Sequence, residues 1–212
     1  VQFFAYSRTS SGFTAIKNPK TVKLQMSMSK DYFSWDLLNK IDKNNDTYVS
    51  VVERMLVTEL AGVSLKGIEY LENLESLNCS NLHISSLDVS KNTKLKTLKC
   101  NSNELTSLDL SANTKLETLS CNFNSLTSLD LSKNTRLISL DCKANRDAND
   151  EYTLKTLNVS NCTLLTHLDC SFNRLLTSLN LSNNTRLTTL NCNFNSLNRR
   201  SEERRVGKEC RS

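Results

Sequence analysis

From Leu74 onward the apolar residues fall in two alternating frames, LxxLxCxxNxL and LxxLxLxxNxxL. The stretch Leu95 to Leu116, LKTLKCNSNELTSLDLSANTKL, holds one of each, half-turns of 10 and 11 residues that recur together every 21. In LxxLxC and LxxLxL the apolar positions alternate with polar ones, as in a short strand with one buried face. A fixed period of this size predicts a solenoid, mainly of parallel β-strands, with irregular or short-strand second half-turns. Cys79, Cys100, Cys121 and Cys142 are 21 residues apart, Cys170 follows after 28 and Cys192 after 22. The register is thus interrupted twice and kept, and six turns are counted.

Upstream the period becomes helical. Phe33, Leu37 and Ile41 share one face, widened by Trp35 and Leu38, and a second apolar-periodic stretch runs from Val52 to Leu60. Between them lies DKNNDTYVSVVE, Asp42 to Glu53, which matches the calcium loop of an EF-hand. Asp42, Asn44 and Asp46 stand at its first three ligand positions, Tyr48 at the backbone-carbonyl position, Ser50 at the next and Glu53 at the closing one. Calcium needs several oxygens converging from a tight loop, and this spacing supplies them. Thr47 departs from the pattern, since the loop takes glycine there for a sharp turn. A helix-loop-helix cap that keeps the shape without the ion is the alternative, and either form covers the first apolar turn of the solenoid. Calcium is the only cofactor implied.

Residues 1–28 show no sustained period and contain the only proline, Pro19; no fold is assigned to them, and they are expected to be disordered or non-native. The C-terminal RSEERRVGKECRS, Arg200 to Ser212, shares neither the leucines nor the asparagines of the repeat. It resembles the in-frame translation of a short-read sequencing adapter and is read as a non-native tail. The expected organisation is therefore 1–28 unassigned, 29–62 a small helical cap, 63–198 the solenoid and 199–212 the tail.

The net charge is +5, of which the tail carries +2. The remainder is spread over both signs with no basic stripe, which argues against a nucleic-acid partner. No run of 18 apolar residues marks a membrane span, and no signal peptide is read. His83 and His167 are the only histidines and lie four turns apart; phosphate-binding glycine loops, GxSxG and HExxH are all missing, so no catalytic residue is assigned.

Between Leu74 and Asn198 there is neither glycine nor proline. Asn103, Asn124, Asn145, Asn173 and Asn195 in one frame, and Asn92, Asn113, Asn134 and Asn184 in the other, must then hold the corners through their amides. The cysteines read as a buried ladder of free thiols: stacked side chains point the same way, and gaps of 21 or more do not suit zinc. Cys162 replaces an asparagine of the second ladder and is read as structural. Lys99, Ser120, Asp141, Asp169 and Asn191 take the outward polar position of the LxxLxC strands, and Phe123, Phe172 and Phe194 stand just before the corner asparagine. Together they form the candidate ligand-binding face. The phenylalanines either anchor a ligand or fold over the corner to cover the rung below. Asp88, Asp109 and Asp130, continued by Asn158 and Asn180, form an acidic file read as solvated and hydrogen-bonded, near a basic file of Lys94, Lys115, Arg136 and Arg186. The stretch RDANDEYT, between Asn145 and Leu154, adds seven residues to the repeat and places Asp147, Asp150 and Glu151 in a loop, either a contact loop or a tolerated one; Leu176 marks a one-residue insertion.

The LDLSxNT segments carry a resemblance to bacterial leucine-rich-repeat surface proteins of the nested IRREKO type. The chain also resembles the internalins, in which an EF-hand-like helical cap precedes the repeats, and the match spans about Asp31 to Asn198. The resemblance implies a leucine-rich-repeat solenoid acting as a non-catalytic binding protein, secreted or at the cell surface, monomeric and not inserted in a membrane. Its ligand would be a protein or a glycan, and its role adhesin or receptor-like. A calcium-stabilised spacer or targeting module of a larger secreted enzyme is the alternative. The loop generates a direct test: calcium is expected to raise the melting temperature, and Glu53→Ala to abolish the rise. A parent protein that melts at the same temperature with and without calcium has no such site.

Overall fold

In a computed structural model of the chain, residues 65–197 are described throughout, together with the backbone of five short strands before them. Strands β1 (Tyr6–Thr9) and β2 (Gly12–Ala15) pair antiparallel, with Thr9 opposite Gly12. This pair lies in the segment to which the sequence assigned no fold; strands of four residues are too short to establish a period. Strands β3 (Met28–Ser29) and β4 (Tyr48–Val49) form a second antiparallel pair. It includes Tyr48 of the calcium-loop motif, whereas Asp42, Asn44, Asp46, Ser50 and Glu53 lie outside the described residues, as does the 199–212 tail. Strand β5 (Glu59–Ala61) corrects the helical reading of Val52 to Leu60 at its C-terminal end. Its backbone pairs with the sheet, and Leu60 comes into register with Leu77. Leucine suits either period, and pairing with an otherwise open sheet edge decides between them.

The repeat contributes β6 (Ser76–Asn78), β7 (Thr97–Lys99), β8 (Thr118–Ser120), β9 (Ser128–Asp130), β10 (Ser139–Asp141), β11 (Thr156–Asn158), β12 (His167–Asp169) and β13 (Thr189–Asn191). All of these except β9 and β11 join β5 in one parallel sheet of seven strands, ordered β5-β6-β7-β8-β10-β12-β13. Six turns are legible as repeats; the seventh strand comes from upstream of the leucine pattern. The second half-turns form one strand pair, β9 with β11, in which Asp130 stands opposite Asn158. The expected leucine-rich-repeat solenoid with irregular second half-turns is thus the fold. Leu77, Leu98, Leu119, Leu140 and Leu168, the central residues of their strands, are buried and in register. With the cysteine ladder and Leu74, Leu95, Leu116, Leu137 and Leu165 they make one continuous core. Each buried leucine contributes about 1.5–3 kcal/mol.

The corners close as the asparagines predict. In the first ladder each amide sits between two turns. Asn124 Nδ2 donates to the carbonyls of Cys100 (3.0 Å) and Cys121 (3.1 Å), while its Oδ1 accepts from Leu105 N (3.1 Å). In the second ladder Asn113 Nδ2 donates to Val89 O and Asn92 O, both at 3.0 Å, and Asn134 Nδ2 to Leu110 O (3.1 Å) and Asn113 O (3.0 Å). Here the amide oxygens of Asn92, Asn113, Asn134 and Asn184 are buried and accept no hydrogen bond. Cys162 takes over the donor role in this ladder, its thiol lying 3.5 Å from Leu131 O and 3.6 Å from Asn134 O. It supplies a weak donor and brings no orphan oxygen. Val89 O and Asn92 O also accept the backbone N–H of Asn92 (3.0 Å) and Leu95 (3.1 Å), so Asn113→Ala, which removes one of two donors from each carbonyl, is expected to destabilise the solenoid by about 1–3 kcal/mol. Asn113→Cys should cost less than half of that, read as the shift in urea midpoint for the two variants.

Candidate functional site

The outward position of the strands forms one straight file. Asn78, Lys99, Ser120, Asp141, Asp169 and Asn191 are mutual register partners across the sheet. Most of the file is committed to its own hydrogen bonds. Asp169 accepts from Ser171 N (3.0 Å), Ser171 Oγ (2.6 Å) and Asn191 Nδ2 (3.1 Å). Asp141 accepts from Lys143 N (3.3 Å) and from the Asn122 amide, with Lys143 Nζ 3.9 Å away. Asn122 also donates to Ser120 Oγ (3.2 Å). Half-burial pushes the Asp141 carboxyl up, against these donors, and the neighbouring Asp169 adds to the rise. Asn78 and Lys99 are the exposed members.

The acidic file of the other half-turn is held in the same way. Asp88, Asp109 and Asp130 accept the backbone N–H of Ser90, Ser111 and Ser132 at 2.9–3.0 Å, and Asn158 and Asn180 accept from Ser160 and Ser182. These are Asx turns, and the serine N–H groups hold the three carboxyls below their ordinary range. The solvated, hydrogen-bonded reading of this file holds.

The phenylalanines behave differently. Two residues beyond each ladder cysteine the chain enters the left-handed region: Asn81, Ser102, Phe123, Ala144, Phe172 and Phe194 have φ between 51° and 59°. There each backbone N–H can reach the carbonyl of the next turn, as Phe123 N does to Lys143 O (3.1 Å) and Phe172 N to Asn193 O (2.9 Å). Phe123 is 54 % exposed, Phe172 37 % and Phe194 51 %, so the rings project from the corner and do not cover it. Phe172 and Phe194 stack, centroids 4.4 Å apart and planes 17° from parallel.

No protein-family model matches the chain, and no curated protein matches it. Among solved structures, the internalin InlF of Listeria monocytogenes is 26 % identical with a TM-score of 0.53, over 76 % of this chain and 55 % of that one. The functional domain of InlJ from the same species, described as including a cysteine ladder, is 32 % identical with a TM-score of 0.47, over 71 % of this chain and 42 % of that one. The fold is internalin-like. The chain spans about half the length, or less, of the internalin structures it matches.

In this internalin-like solenoid the cysteine ladder is buried, and Cys79, Cys100, Cys121, Cys142, Cys162 and Cys170 are free. Burial pushes their thiols up, to about 11 at Cys79 and Cys162 and about 12 at Cys170. They act as apolar residues. Cys192 departs from the expected row of free thiols: it is disulfide-bonded. Among the described residues no group of three or more His, Cys, Asp or Glu could hold a metal ion, and no helix is long and apolar enough to cross a membrane.

The insertion after Asn145 is a small closed hairpin. Arg146 and Tyr152 bridge antiparallel, and the Arg146 guanidinium bonds Asp150 Oδ1 (2.6 Å) and Tyr152 Oη (2.9 Å). Asp147 Oδ1 turns inward to accept Asn149 N (2.9 Å) and Glu151 N (3.0 Å). Two of its three acids are thus occupied within the loop. Arg174, just before the one-residue insertion, lies 5.2 Å from the Tyr152 ring centroid, with Arg146 at 4.4 Å. The sequence reading did not single out this Arg146–Tyr152–Arg174 cluster. Its signal was available, because both insertions follow a corner asparagine of the same ladder, on consecutive turns.

The burial of Asp141 fixes the sign of a pH effect. Its folded carboxyl titrates above the unfolded one, so ionisation opposes folding, and stability from this group returns as pH falls through the folded value. Asp141→Asn is expected to raise the urea midpoint at pH 7, since asparagine serves at the same position as Asn78 and Asn191. The gain should shrink as the pH is lowered toward 4. A gain that stays constant with pH overturns the assignment.

Proposed function

We propose that this chain is a non-catalytic protein-recognition domain that engages its partner through the corner phenylalanines and the adjoining strand face. The left-handed phenylalanines carry the reading. A non-glycine residue in this region costs roughly 1–2 kcal/mol, asparagine tolerates it best, and Asn81 occupies the first position of the column. Three large apolar rings placed instead at these positions are exposed, where they add little to the core. Backbone strain combined with exposed aromatic surface is the mark of a side chain kept for contact.

The internalin-like fold supports a binding role, and a place at the cell surface or in the secreted fraction agrees with it. The polar file supports the phenylalanines as a rim, since its groups are already paired and contribute shape and register more than free charge. The test is a side-by-side screen of the parent and the Phe123→Ala/Phe172→Ala/Phe194→Ala variant against an array of purified extracellular protein domains and a glycan array. The variant is expected to melt within a few degrees of the parent and to lose the protein hits. Protein binding that survives the triple substitution removes this face as the anchor, and binding confined to glycans removes protein recognition.

A further inference from the structure

We propose that Phe123, Ala144 and Phe172 form a slot for one aromatic side chain of a protein partner, whose neighbouring carboxylate is met by Arg174. This rests on the recognition role proposed above and specifies what the face accepts. Four successive rungs of the column read Phe123, Ala144, Phe172 and Phe194. Rings on adjacent rungs stack directly, as Phe172 and Phe194 do at 4.4 Å. Phe123 and Phe172 are two rungs apart, about 9–10 Å at the usual strand spacing. A ring inserted between them would lie about 4.5–5 Å from each, where aromatic pairs attract. Ala144 is buried and carries no ring at this rung, and the guest would supply the ring missing between Phe123 and Phe172.

The chemistry of the rungs favours an aromatic guest over a sugar. A pyranose held between two rings needs polar partners for its hydroxyls, yet the amides beneath the slot are occupied. Asn124, Asn145 and Asn173 donate to the cysteine carbonyls, and their oxygens accept from Leu105 N, Leu126 N and Asn145 N; Asn145 and Asn173 accept theirs at 3.1 Å and 3.0 Å. Charge selects what stands beside the ring. Arg146 is taken by Asp150, and Lys143 lies near Asp141. Arg174, two residues from Phe172 and exposed, rests on Tyr152 and has no acidic partner among the described residues. A guanidinium held in place on a ring is suited to a carboxylate.

The experiment selects phage-displayed random peptides on the parent protein and measures the affinity of the winners for variants. Peptides with Phe, Tyr or Trp within two residues of Asp or Glu are expected to dominate. Ala144→Phe fills the slot with a side chain the column already accepts and should weaken the winners about tenfold or more, two stacking faces being lost. Phe123→Ala, which truncates an exposed ring, should do the same and serves if Ala144→Phe fails to fold. Arg174→Gln should weaken the acidic peptides and leave their Asn or Gln versions unchanged. Winners without an aromatic residue, or winners indifferent to both slot variants, overturn the proposal. If such winners are lost on Phe172→Ala/Phe194→Ala, face recognition survives without the slot; if that variant also leaves them unaffected, both fall. Glycan binding abolished by Ala144→Phe, with no peptide enriched, makes the guest a sugar and likewise overturns it.

Discussion

The structure depends on satisfying backbone groups at corners that contain neither glycine nor proline. A coil that turns every 10 or 11 residues buries carbonyls that no strand partner can reach, and each one left without a donor costs about 1–3 kcal/mol. An asparagine amide placed between two turns donates to both carbonyls at once, as Asn124 does to Cys100 and Cys121. That requirement ties the side chain to the interval between turns and explains why the period persists while most exposed positions vary. The two ladders meet it differently. In the first, the amide oxygen is also used; in the second it is stranded at Asn92, Asn113, Asn134 and Asn184. A thiol at Cys162 can stand in only where the oxygen has no task.

The same ladder makes the register interruptions tolerable. After the seven-residue excursion, Asn173 Oδ1 accepts from Asn145 N (3.0 Å) where Asn145 Oδ1 accepted from Leu126 N (3.1 Å). After the single extra residue, Asn195 Oδ1 accepts from Asn173 N at 2.8 Å. The bond moves by a few atoms and the stack continues. The excursion leaves the solenoid at the corner that bears Ala144 and brings Tyr152 against Arg146 and Arg174, so the longer of the two insertions adjoins a rung where the aromatic column is broken.

Much of this was legible in the sequence because the governing interactions recur. The leucine rungs, both asparagine ladders, the burial of the cysteines and the hydrogen-bonded file of Asp88, Asp109 and Asp130 each repeat at a spacing that one unit already reveals. Features that occur once were not legible. Glu59–Ala61 extends the sheet from a segment whose apolar residues also fit a helical stripe, and nothing local tells the two apart. The left-handed corner was hidden for a different reason: Asn81, Ser102, Phe123, Ala144, Phe172 and Phe194 share no chemistry, only a backbone conformation. A position whose occupants vary from asparagine to phenylalanine does not announce a common φ. The disulfide of Cys192 was invisible because its ladder position predicts a thiol.

Polarity alone is a poor guide to where such a surface binds. The strand file looks like the ligand-reading face, since its side chains are outward, polar and regularly spaced. Yet Asp169 is held by Ser171 and Asn191, and Asp141 by Lys143 and Asn122, so a ligand would have to displace bonds already made. Exchanging one such bond for another yields little net free energy. The phenylalanines have no such prior commitment on their outer faces, and water is the only thing a partner must remove from them. Burying two or three of these rings contributes about 1.5–3 kcal/mol each, more than the rearrangement of the whole polar file can offer. Under the recognition role proposed above, affinity would come from the corner, and the strand file would set orientation and reject partners whose polar groups do not match.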